Sequence, residues 1–292
     1  MRKYLYAVLT VFIWSTLAAT AKLILNDVPN LQTLAISSFF AFLFLVVINL
    51  RGKTVKKLRT YSLKDYGKMA GLGFLGLFVY SALYYYGLTQ LTSQEACIVN
   101  YLWPMMLVIF SVIILKEKLT PLKIVAMVCS FVGIIILSTG GASSGGNAVL
   151  GISACVIAAT CYGLFSVLNK KADYDQNIAM TVIWLVTAVC STVLGVFTEK
   201  WVSISWTQLL GLVWIGVVVD AVAYLLWALA LKGTENTAKI ANLAYLTPFL
   251  SLVVSAVLCN EKIEFRAVIA LVFIVGGILL QSLCEGRKRR KL

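Results

Sequence analysis

Apolar runs of about twenty residues recur along the whole chain, at about 4–25, 31–50, 66–88, 93–115, 122–140, 148–168, 178–197, 207–231, 237–258 and 266–284. A helix needs about 20 such residues to cross the hydrocarbon core of a bilayer. Inside lipid every backbone polar group must be satisfied within its own segment, so each run is expected to be a helix. None shows the apolar/polar alternation of a barrel strand. Composition agrees: 61% of the 292 residues are hydrophobic and 13% charged, against roughly 25% charged in soluble domains. The expected fold class is all-α integral membrane with ten transmembrane helices, which leaves little chain for an extramembrane domain.

The chain has no histidine, which removes Ser-His and Cys-His nucleophiles and His-ligated metal sites. No nucleophile, base or metal cluster is visible near a span end, so a lipid-modifying enzyme is disfavoured. The expected protein is not an enzyme and needs no metal or cofactor. The seven cysteines lie in or beside apolar runs with no C-x-x-C pair, as small packing residues do.

A net charge of +13 could point to nucleic acid, but the positions of the basic residues decide otherwise. With the N-terminus in the cytoplasm, 21 of the 25 basic residues fall in inside loops and tails, and only Lys22, Lys200, Lys262 and Arg266 fall outside. The positive-inside rule then places both termini in the cytoplasm. The run Arg287 to Lys291 reads as an anchor against anionic lipid rather than a nucleic-acid patch. The first segment resembles a signal peptide around Ala19-Thr20-Ala21, but its length and its counterpart later in the chain argue for an uncleaved span.

That counterpart belongs to an internal repeat. A shift of 144 positions lays Tyr101-Leu102-x-Pro104 on Tyr245-Leu246-x-Pro248 and Glu117-Lys118 on Glu261-Lys262, and a shift of 148 lays Trp14 and Lys22 on Tyr162 and Lys170. The expected organisation is a five-helix unit at 1–137, a Gly/Ser linker at 138–147, a second unit at 148–284 and a basic tail at 285–292. Because five is odd, the second unit enters the membrane from the opposite side, giving the 5+5 inverted repeat of alternating-access carriers. Pro104 and Pro248 interrupt matching spans. Each removes a backbone hydrogen bond, and such paired interruptions point to a binding site.

Asp220 is the one acidic residue deep inside a span, with Tyr224 and Trp227 at i+4 and i+7. Holding a carboxylate there costs about 2.5–3.5 kcal/mol on insertion scales. It could receive a solute ammonium beside the two rings, exchange a proton, or simply bond neighbouring hydroxyls. Tyr80 and Tyr84 lie one turn apart, Asn100 and Trp103 flank the first proline, and Trp14, Tyr162 and Tyr245 stand on other spans. Trp14, Tyr162 and Tyr224 are too deep for an interfacial belt. Together these ten residues are the candidate lining of a pocket suited to aromatic or amphipathic solutes. Two weaker signals are Gly67-x-x-x-Gly71, a packing motif, and the Glu-Lys pairs, which read as interface markers or gates.

The ten spans, the repeat, and the patterns Thr92-Ser93 to Pro104 and Thr237 to Pro248, each running on to Glu-Lys, resemble the EamA branch of the drug/metabolite transporter superfamily. Asn100-Tyr101-Leu102-Trp103-Pro104 is similar to a signature of the YddG-type aromatic amino acid exporters. The resemblance implies a secondary transporter in the plasma membrane, with small solutes and lipids as its partners and no nucleic acid, that moves aromatic amino acids outward. Export of other amino acids, organic cations or drugs is the alternative. A monomer with a cavity between its halves is the expected state.

Overall fold

The computed structural model describes residues 2–52, 54–116, 121–138, 146–172, 174–231 and 242–289. Glu117-Lys118, Thr237, Lys232, Lys239, residues 139–145 of the linker and the end of the tail lie outside them. Among the described residues the chain is helical, without strands. The helices are α1 (Arg2–Ser15), α2 (Leu17–Leu25), α3 (Asn30–Arg51), α4 (Val55–Leu58), α5 (Leu63–Gly73), α6 (Tyr80–Gln90), α7 (Ser93–Asn100) and α8 (Trp103–Ile114). They continue as α9 (Pro121–Ser138), α10 (Ala148–Lys171), α11 (Gln176–Thr198), α12 (Trp206–Val213), α13 (Ala223–Leu231), α14 (Thr247–Leu258) and α15 (Phe265–Arg289). Among the described residues seven helical stretches are long and apolar enough to cross a membrane, and Thr247–Leu258 and Phe265–Gly277 are shorter apolar helices. Leu5, Phe12, Val47, Ile113, Val193 and Phe197 are exposed around the bundle, an apolar exterior that needs lipid.

Local chemistry recurs in both halves. Ser62 and Ser205 each open a capping box, with Asp65 and Gln208 as its far member, so the first orphan N–H groups of α5 and α12 are satisfied. Each helix then loosens into a π-helical stretch, Phe74–Val79 and Trp214–Val222, ending at the same distance beyond its cap. Pro104 and Pro248 sit in the first turn of α8 and α14, where a missing N–H costs least. The chain breaks before each, at Tyr101-Leu102 and in the 3-10 turn Asn242–Leu246. Past these helices Lys116 and Asn260 adopt left-handed φ of 54° and 55°. Packing is reciprocal too: α10 lies on α6 and α8 as α1 lies on α13 and α14, while α3 pairs with α11 and α9 with α15.

Close approach depends on Gly73 and Gly216, one at or near the start of each π-helical stretch. A Cβ on Gly216 would stand 2.1 Å from the Ser37 carbonyl oxygen, and one on Gly73 would stand 2.9 Å from Ile183 Cα. A Cβ on Gly67 or Gly71 would meet nothing within 4 Å, so among the described residues the Gly-x-x-x-Gly pattern packs against no helix. Overpacking of this kind costs about 1–3 kcal/mol. Gly216→Leu is expected to lower the detergent thermal midpoint by several degrees, whereas Gly67→Leu leaves it unchanged. Equal effects would contradict the packing described.

Candidate functional site

The middle of the bundle encloses a cavity of about 530 Å³. Trp14, Tyr80, Tyr84, Asn100, Trp103, Tyr162, Asp220, Tyr224 and Trp227 all line it. The side chain of Tyr245 lies outside those described. Phe165, Trp184 and Tyr85, which sequence reasoning did not single out, also line it, as does Tyr101, which the sequence marked only through the repeat and the Asn100-to-Pro104 pattern. Trp184 offered the same signal as Trp14, an indole at mid-span, and Phe165 follows Tyr162 by nearly one turn.

The rings form a continuous wall drawn from both halves. Trp14 stands 5.4 Å from Tyr224, edge-on, and 5.4 Å from Trp227. Tyr162 stands 5.3 Å from Trp103, nearly perpendicular, and 4.9 Å from Tyr80, which stacks on Tyr84. Edge and offset arrangements are those that ring quadrupoles favour. Hydroxyls stitch the wall, since Tyr162 and Tyr224 share a hydrogen bond at 3.3 Å and Asn100 Nδ2 donates to Tyr80 Oη at 3.1 Å. Asn100 Oδ1 is buried without a hydrogen-bond partner among the described residues. Asp220 lies within the second π-helical stretch and is 7% exposed. Stretches of this type recur at functional sites.

The two ends of the bundle differ. Toward the end carrying α4 and the start of α11, the cavity is lined by Asn169, Gln176 and Asn177. There Lys57 Nζ donates to Asp175 Oδ2 at 2.7 Å, and Asp175 N donates to Tyr61 Oη at 2.9 Å. Burial works against ionisation of Asp175, but the Lys57 ammonium and the Asn177 and Ile178 amides hold its carboxyl below the usual carboxylate value.

At the opposite end, carboxylates of the second half seat the N-termini of first-half helices, as the helix dipole favours. Glu199 accepts from Leu31 N and Gln32 N, each at 3.1 Å, and Glu261 accepts from Ser93 N at 2.7 Å and Gln94 N at 3.2 Å. Lys22 Nζ donates to the Leu88 and Leu91 carbonyls at 2.5 and 2.7 Å, and Arg266 reaches Glu95 at 3.4 Å and also pairs with Glu264. The Glu199, Glu261 and Arg266–Glu95 contacts tie that end across the halves, whereas the Lys22 bonds join α2 to α6 and its following residue within the first half.

Comparison with known proteins gives this arrangement a family. A transporter of Clostridium kluyveri that is itself uncharacterized is 24% identical over 95% of this chain and 92% of its own length. The aromatic amino acid exporter YddG of Ancylobacter novellus is 27% identical over 74% of this chain and 76% of its own. One solved crystal structure superposes with a TM-score of 0.71 at 24% identity, covering 98% of each chain, which establishes the fold. Residues 1–139 and 149–283 both match the EamA-like transporter family, and the chain belongs to that family of membrane transporters.

Proposed function

We propose that the chain is a secondary carrier that exports aromatic amino acids, or related small amphipathic metabolites, by alternating access. The observation that carries this reading is the central cavity, where rings from both halves surround one buried carboxylate. Its volume lies within the roughly 300–1,000 Å³ of small-molecule sites. The relative named as an aromatic amino acid exporter supports the substrate class.

The architecture that goes with this function is ten spans in two oppositely inserted units, 1–137 and 148–284. The paired breaks, π-helical stretches and left-handed residues support it, as does the two-part family match. The charge asymmetry argues for a plasma-membrane protein with both termini in the cytoplasm. The cavity then opens inward and the end tied by Glu261 faces outward. A solute drives the cycle through its differing affinity for the two states.

In liposomes loaded with unlabelled phenylalanine, the purified protein is expected to take up labelled phenylalanine or tryptophan by counterflow. Trp103→Ala removes the ring set edge-on to Tyr162 and is expected to raise the half-saturating concentration about tenfold, at unchanged protein level. Failure to move any solute bearing an aromatic ring would sink the reading.

A further inference from the structure

We propose that the cavity recognises its solute by an ammonium group and an aromatic ring and has no receptor for a carboxylate, so that aromatic amines bind it more tightly than the corresponding amino acids. This deepens the carrier reading and rests on it. The argument begins with the charges. Among the described lining residues Asp220 is the one acid, and the rest are rings, aliphatics, amides, hydroxyls and the sulfur side chains of Cys97 and Met180. No lysine or arginine is among them. The Asp220 carboxylate has no hydrogen-bond or ion-pair partner among the described residues, although it is buried. An unpaired charge in that setting is costly, and a partner brought by the solute relieves the cost.

The surroundings of Asp220 select the sign of that partner. Tyr224 and Trp227 follow it by one and two turns, and Trp14 packs on both. Ring faces are electron-rich, so they attract an ammonium and repel a carboxylate. Asn100 Oδ1, buried at the same cavity, is a further acceptor without a donor among the described residues. A zwitterionic amino acid carries its carboxylate one carbon from its ammonium. Seating the ammonium on Asp220 therefore places a second negative charge beside the first, and in a low-dielectric site like charges repel strongly. The donors left for that carboxylate are neutral indole, amide and hydroxyl groups. A decarboxylated solute keeps the ring and the cation and loses the repulsion.

Binding to the purified full-length protein tests this without interference from leakage of neutral amine through lipid. The panel is phenylalanine, phenethylamine, its permanently charged trimethylammonium analogue, and 3-phenylpropionate, read by quenching of tryptophan fluorescence and by thermal shift. The two amines are expected to bind at about tenfold lower concentration than phenylalanine, and the acid not at all. Asp220→Asn is expected to erase the difference between amine and amino acid. Because that comparison is internal to each preparation, the wild-type panel alone decides the matter should the variant fold poorly. Phenylalanine binding more tightly than both amines, or phenylpropionate competing with it, would overturn this inference and leave the carrier standing. If none of the four binds and none moves in counterflow, the carrier reading fails with it.

Discussion

Replacing Asp220 with leucine is expected to end transport while leaving the protein at least as stable as before. The carboxylate is buried in the second π-helical stretch with no partner among the described residues. An acid at the centre of a spanning helix costs about 2.5–3.5 kcal/mol on insertion scales. Exchanging a buried charge for a packed apolar side chain of similar volume often stabilises by about 1–4 kcal/mol. Solute binding moves the other way. Removing one member of a buried charge pair costs about 2–5 kcal/mol, a loss of roughly thirtyfold to several thousandfold in affinity. A structural aspartate bonded to hydroxyls gives the reverse pattern, because its loss strands those hydroxyls. Thermal midpoint and counterflow measured on the same preparation separate the two: a lower midpoint with transport retained would mean that the acid serves the fold.

The helical spans and the contents of the cavity were open to sequence reasoning for one physical reason. In a chain whose solvent is lipid, a polar or ringed side chain at mid-span must face inward or face a cost, so Asp220, Trp14 and Tyr162 announce themselves by depth alone. Trp184 and Phe165 obeyed the same rule. What depth does not encode is the local winding. Phe74–Val79 is an ordinary apolar sequence with no proline to mark it, and its π-helical stretch packs on α10 and α11. Lys116 and Asn260 share a backbone conformation and not a residue type, so their correspondence is invisible to matching of letters.

The tied end was the least legible part. Glu199 and Glu261 stand at span ends, where acids usually meet water and headgroups, and although Glu261 repeats Glu117 at the 144-residue shift, nothing local names its partner. Their partners are backbone amides of helices 168 residues away in sequence, groups that every residue but proline possesses. An interaction between a carboxylate and a helix N-terminus leaves no mark on the partner sequence. Asn49 is similar: its amide donates to Thr181 Oγ1 at 2.8 Å, a cross-half bond between α3 and α11 that only the fold reveals.

The two carboxylates have different consequences. Glu199 at the end of α11 holds the start of α3, and the same α3–α11 pair is held again near its far end by Asn49 to Thr181, where Lys57 of α4 also pairs with Asp175 just before α11. A helix pair fixed at both ends moves as one body, so Glu199→Ala is expected to lower stability without changing which side the cavity faces. Glu261 instead joins the turn after α14 to the first residues of α7, the helix that carries Cys97 and Asn100 to the cavity. Glu261→Ala leaves two amides with no acceptor in the closed arrangement, at about 1–3 kcal/mol for an unmet buried donor. In an open arrangement water satisfies both. The balance between arrangements should therefore shift by a factor of about 5–150. Cys97 lines the cavity and is 6% exposed, so in a background lacking the other cysteines it reports that shift. A membrane-impermeant thiol reagent added from the side of residues 259–264 is expected to modify Cys97 at least about fivefold faster in Glu261→Ala than in the parent, and no faster in Glu199→Ala. Equal rates in all three proteins would show that the bond from Glu261 to α7 does not hold that end closed.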